Sequence, residues 1–358
     1  MGDCISQHSQ ASVDRGEGGA LNKRLTGLSL SSALLVVFCL SCVLIALSSR
    51  LLAQSQAGSD PKPISQGKSP LSDRTIHLNV NLALVNVTVT DPYNRQVSGL
   101  EPDNFRVFED NVEQEIVNFS CEDVPVSIGI ILDLSGSMSN KVSKAKEAVL
   151  QFLKASNSND EFFLVGFNDH AGLLSSFTEN VQDLQSRLLS ASARGSTALL
   201  DAIFLGLAQM RSAHFGKRAL LIISDGGDNH SRYSQADIRR LVREANTQLY
   251  AIGIVDPLPY RSRTQEELYG PSLLSDMTEL TGGRAFFLEN INELPDIATK
   301  IGTELRNQYI LGYHPSNKNQ NARWRKIKIK LRPPRGLPPL SVYAKTGYYA
   351  SAYSAETN

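Results

Sequence analysis

The chain has 358 residues, enough for two or three domains, and 41 % of them are hydrophobic, as in an ordinary globular protein with a buried core. Its 36 basic and 36 acidic residues cancel, so no global field draws it to nucleic acid or to an anionic membrane. Cys39 and Cys42 lie in an apolar run, Cys4 near the N-terminus, and Cys121 by itself, which excludes a disulfide framework or a zinc-type cysteine pair in the folded part.

Residues 1–27 form a leader, and residues 28–47 a stretch of 20 without a charge. That length spans a bilayer as a helix, and it exceeds the usual apolar core of a signal peptide. The expected outcome is a retained anchor with the soluble part extracytoplasmic. Cleavage after Leu51-Leu52-Ala53, giving a secreted or periplasmic chain, is the alternative. Lys23, Arg24 and Arg50 flank both sides, so charge alone does not orient the segment. Residues 48–75, rich in Ser, Gln, Gly, Pro and Lys, read as a flexible linker.

The next segment, 76–121, is β-rich. Its run 77–91 alternates, with a phase slip at Leu84-Val85 that suggests a bulge or bend. Asp91-Pro92-Tyr93-Asn94 and Asp110-Asn111 mark turns. From 122 to 308 the pattern becomes strands near 126–133, 161–167, 218–224, 248–254 and 285–288. Helices are expected at 141–155, 181–190, 199–212, 234–246, 264–281 and 293–308. Short apolar strands separated by such helices imply a doubly wound, mostly parallel α/β sheet. Residues 309–350 return to β, with strands at 309–313, 325–331 and 340–345. Neither β segment is large enough for its own core, so the two are expected to pair as one accessory domain. Residues 351–358 are a tail.

The most informative segment is Asp133-Leu134-Ser135-Gly136-Ser137, directly after the apolar run 126–132. Three oxygen-bearing side chains alternate in a tight turn, and a hard divalent cation takes such ligands. Capping of the following helix explains the triplet equally well. Two later segments, Gly195-Ser196-Thr197 and Ile223-Ser224-Asp225-Gly226, add oxygens at the same sheet edge. In open α/β sheets, ligands bind beyond the carboxyl ends of the strands.

These residues resemble the metal-ion-dependent adhesion site of a von Willebrand factor type A domain. Asp133, Ser135, Ser137, Thr197 and Asp225 match all five positions of its pattern, and the resemblance covers about 124–306. The flanks are similar to the related domain proteins of Acidobacteria, in residues 85–91, 104–110 and 308–313. The resemblance implies a bound Mg²⁺ (or Mn²⁺) contacted through Ser135, Ser137 and Thr197, with Asp133 and Asp225 acting partly through water. It also implies an open position for an acidic side chain of a protein partner.

Several features have blander readings. Asp228 reads as a solvated Gly-rich turn in preference to an acceptor behind the metal, and Asn168-Asp169 as a surface turn in preference to the rim of the site. In 326–331 Lys alternates with apolar residues, as on an exposed edge strand. The six histidines show no metal-binding spacing. A phosphate-binding G-x-x-x-x-G-K-[ST] loop and a G-x-S-x-G elbow are both missing, and Ser135 stands where dehalogenase-like phosphatases carry a second Asp. The expected function is membrane-anchored, metal-dependent protein binding without catalysis. A structural subunit with a merely stabilising ion is the alternative, and a metal-dependent hydrolase ranks third.

Overall fold

A computed structural model describes residues 82–255, 264–319 and 322–350. The leader, the 28–47 segment and the 351–358 tail lie outside the described residues, within which no helix is long and apolar enough to cross a membrane.

The central sheet has six strands in the order β10-β9-β8-β5-β6-β7. These are β5 (Val126–Asp133), β6 (Glu161–Phe167), β7 (Ala171–Thr178), β8 (Lys217–Ser224), β9 (Gln248–Ile254) and β10 (Ala285–Leu288). All pairings are parallel except β6 with β7, which is antiparallel. Central strand β5 is buried at every position, as expected for a strand covered on both faces. Ile128, Ile130 and Leu132 pack on one side with Phe152 of α1 (Val142–Lys154) and Ile301 of α6 (Leu294–Arg306). On the other side Ile131 packs with Ile203 of α3 (Leu199–Gln209), Val242 of α4 (Gln235–Glu244) and Met277 of α5 (Gln265–Thr281). Helix α2 (Val181–Ser190) joins the first layer through Leu184 and Leu188.

The flanking segments form two four-stranded sheets, ordered β13-β1-β11-β4 and β14-β12-β2-β3. Strands β1 (Ala83–Thr90), β2 (Phe105–Glu109), β3 (Val112–Gln114) and β4 (Ile116–Ser120) precede the α/β unit. Strands β11 (Tyr309–Tyr313), β12 (Trp324–Leu331), β13 (Ser341–Ala344) and β14 (Gly347–Tyr349) follow it. They bury one core, in which Val85, Val87 and Phe105 meet Tyr309, Leu311 and Ile327. The strands before the α/β unit therefore bury their apolar faces against strands that follow it about 200 residues later.

Two expectations need correction. Strand β1 has no bulge at Leu84-Val85: its register with β11 is continuous there, and Leu84 simply faces outward, 45 % exposed. Strand β12 is not an edge strand. Its Lys326, Lys328 and Lys330 are exposed on one face, but β14 and β2 flank it, and Arg325 turns inward to pair with Glu109 at 3.0 Å.

The β module is fastened to the α/β unit by buried polar groups. Gln308, fully buried, donates to Thr88 on β1 and to Gln248 and Tyr250 on β9. Arg284 pairs with Glu304 and donates to Asn94 Oδ1 at 2.6 Å.

Candidate metal centre

The chain runs from β5 outward to β6 and β7, then returns to the other side of β5 as β8. The crevice at this reversal lies off the carboxyl ends of β5 and β8. Asp133 is the last residue of β5, and Asp225 directly follows β8.

Hydrogen bonds join three loops here. Gly136 N donates to Gly195 O at 2.8 Å, tying the first loop to the second. Thr197 N donates to Asn229 Oδ1, and Thr197 O accepts from the Asn229 and His230 amides, tying the second to the third. Ser224 Oγ donates to Asp133 Oδ2 at 2.6 Å, and Lys141 Nζ lies 3.3 Å from Asp225 Oδ2, tying the third to the first. Asp133 Oδ1 also accepts from Ser135 N at 2.8 Å, which sets the turn. The Ser135 and Ser137 hydroxyls lie 3.0 Å apart. Thr197 is 6 % exposed. Asp133 ends β5, and the other four residues singled out in the sequence stand on loops that hydrogen bonds join to one another and to Asp133.

The electrostatics of the cluster centre on Asp133 and Asp225, the latter paired with Lys141. Asp133 is fully buried, and burial first, then the Asp225 charge, pushes its carboxyl up to about 6, against the hydrogen bonds from Ser135 and Ser224. Two carboxylates and three hydroxyls are a hard-oxygen donor set, suited to Mg²⁺ or Mn²⁺ rather than to zinc. Among the described residues no group of three His, Cys, Asp or Glu side chains could hold a metal, so any ion here depends on the hydroxyls.

Several supporting residues escaped the sequence. Lys141, just before α1, has a side chain only 6 % exposed. Ser224 clamps Asp133 through its hydroxyl. Asp169 accepts from Ser196 N at 2.7 Å, so it holds the Thr197 loop rather than forming a bare surface turn. Asp228 accepts from Leu200 N and Ser231 Oγ, and caps the start of α3 instead of lying in a solvated turn. Its side of the loop is completed by Asp201, buried, which accepts from the Arg232 and Tyr233 amides. Exposed His170 and His230, with ring centroids 6.1 Å apart, flank this rim.

Residues 128–227 match a family model described as the von Willebrand factor type A domain. Among curated proteins, an uncharacterized protein of Borreliella burgdorferi is 25 % identical over 178 residues, 44 % of this chain and 52 % of that one. Inter-alpha-trypsin inhibitor heavy chain H3 of Homo sapiens is 25 % identical over 153 residues, 38 % of this chain and 17 % of that one. The alignments thus span about half the length of the first relative and under a fifth of the second. Among solved structures, a von Willebrand factor type A protein from Catenulispora acidiphila gives a TM-score of 0.45 at 12 % identity, covering 75 % of each chain. BatB from Bacteroides thetaiotaomicron gives 0.41 at 18 %, covering 50 % of this chain and 98 % of that one.

Proposed function

We propose that this chain, which carries a von Willebrand factor type A domain over residues 128–227, is a membrane-anchored, extracytoplasmic binding module that holds a protein partner through a divalent cation. The observation that carries this reading is the convergence of Asp133, Ser135, Ser137, Thr197 and Asp225 on three hydrogen-bonded loops at one sheet edge. When bound, Mg²⁺ or Mn²⁺ would supply an electrophilic position for a carboxylate of the partner. The two serine hydroxyls and Thr197 are the direct ligands in this reading. Asp133, held from both oxygens by Ser135 N and Ser224 Oγ, balances charge from behind. The histidines at the rim and the zero net charge fit a partner with one well-placed acidic side chain rather than a broadly charged one.

The anchor, residues 28–47, belongs to the same proposal and is tested by carbonate extraction of membranes. Function is tested by partner capture on the full chain, with Mg²⁺ and with EDTA, and with Thr197→Ala. Capture lost in EDTA and in the variant supports the reading. Capture that survives both would favour the structural-subunit alternative.

A further inference from the structure

At the opposite end of the central sheet, a pocket of about 380 Å³ opens between the α/β unit and the β module. Its floor is the amino-terminal ends of β8 and β9. Its walls include the carboxyl ends of α4 and α5 and the β module at Leu84, Ile310 and Gly347. The volume lies in the range of small-molecule sites.

Its charges are one-sided. Lys217, Arg218, Arg243 and Lys345 line it, and no Asp or Glu does. Among the described residues none of the four is ion-paired with a carboxylate. Arg218 donates only to the Phe215 and Ala213 carbonyls. Arg243 lies over the Trp324 ring at 5.6 Å, and Lys345 over Tyr348 at 5.8 Å. Lys217 is 8 % exposed, and its ammonium is buried without a hydrogen-bond partner. The acids that act on it, Asp123 and Asp160, are already engaged by Arg306 at 2.9 and 2.8 Å. The two helix ends bring roughly half a negative charge each, which offsets only about one of the four cations. Burial pushes both Lys217 and Lys345 down to about 8, and for Lys217 the Asp123 and Asp160 charges, shared with Arg306, oppose it only in part.

We propose that this pocket is a binding site for a phosphate monoester with an apolar body. Four cations, among them Arg243, whose planar fork matches phosphate oxygens, suit a dianion better than a single carboxylate. Phe215, Val242 and Leu280 supply apolar wall for the rest of the ligand. Occupation would add a counter-charge near Lys217, whose acids are shared with Arg306, and the bound molecule would touch both the α/β unit and the β module. The site shares no residue with the metal cluster.

The test uses the full chain in a maltoside detergent. Trp324 is the only tryptophan, and Arg243 lies against its ring, so its fluorescence reports on the pocket. Octyl phosphate should bind at one equivalent, change the Trp324 emission and raise the melting temperature, whereas octyl glucoside should do neither. Arg243→Gln/Lys345→Gln should weaken octyl phosphate at least tenfold. Arg243 is exposed and Lys345 half-buried, and the melting temperature of the ligand-free variant checks that it keeps its fold. Lys217→Met should also weaken binding while melting no lower than wild type, a combination that a purely structural lysine would not give. Inorganic phosphate at the same variant-sensitive site would point to a soluble ester as the source. Capture by phosphatidic acid vesicles but not by phosphatidylcholine vesicles would point to a lipid headgroup. Equal responses to octyl phosphate and octyl glucoside would overturn the proposal, as would wild-type affinity in the double variant.

Discussion

Lys141 places its ammonium 3.3 Å from the Asp225 carboxylate, with the two side chains 6 % and 11 % exposed. A lysine therefore shares the carboxylate that the metal reading assigns to the ion. An ammonium near a divalent cation repels it, and without the cation it stabilises Asp225. Both effects weaken metal binding. Lys141→Met should tighten Mg²⁺ at least tenfold by calorimetry, while lowering the stability of the metal-free protein. Unchanged Mg²⁺ affinity would show that Lys141 stands outside the ion's field.

Asp133 makes the metal-free fold sensitive to acid in an unusual direction. Its carboxyl is pushed from 3.8 up to about 6 by burial and by Asp225. Between these values the native state holds a proton that the unfolded chain has released. Stability without metal should therefore fall as pH rises from about 4 to about 6, by on the order of 3 kcal/mol. Mg²⁺ favours the ionised form, so its stabilising effect should grow over the same window. Urea unfolding in EDTA and in Mg²⁺ across this range checks both, and Asp133→Asn should flatten the metal-free slope.

Gly195 sits at φ +83°, and a Cβ there would lie 2.5 Å from Asp169 Oδ2. Gly195→Ala meets backbone strain of about 1–3 kcal/mol. It also pushes away the carboxylate that holds the Ser196 amide. Thermal unfolding should register the strain, and Mg²⁺ calorimetry a larger loss, because Thr197 rides on this loop.

The α/β character of the central unit was legible because β5, β8 and β9 are continuous apolar runs. Strand β7 was not, since Ala171–Thr178 has no alternation: Leu173 is 40 % exposed and the pairing with β6 slips twice. Strand β14 is only three residues long. At the candidate site, the five oxygen-bearing residues were legible because they have a recognisable order and spacing. Lys141 and Ser224 act on carboxylates 84 and 91 residues away, and a side chain's role at that separation leaves no local pattern. The basic pocket is invisible for the same reason, because its cations come from two adjacent positions at 217 and 218 and from 243 and 345.

Arg284 and Glu304 form a buried pair, 6 % and 1 % exposed, at the junction with the β module. Arg284 also lies 4.5 Å from the Tyr343 ring centroid. Removing one partner strands the other's charge, so Arg284→Met or Glu304→Leu should cost about 3–5 kcal/mol. The double variant should recover most of that loss. Urea unfolding of all three provides the cycle, and strictly additive losses would show that the pair is not coupled.

Lys217 offers the opposite pH signature to Asp133. Its folded value, about 8, lies below the ordinary 10.5 because burial removes the ammonium from water. Between those values the unfolded chain binds the proton and the native protein does not. Stability should therefore rise with pH across this window, by on the order of 3 kcal/mol. At pH 7 the charged group is a net cost, so Lys217→Met should raise stability there and remove its share of the alkaline slope. Lys345 contributes to the same slope, and the difference between wild type and variant isolates Lys217. Saturating octyl phosphate should reduce the slope in the wild type as the variant does, because a bound dianion restores the ammonium's proton. A destabilised Lys217→Met would mean that the lysine is satisfied in the native fold, and the vacant counter-charge on which the pocket's assignment rests would not exist.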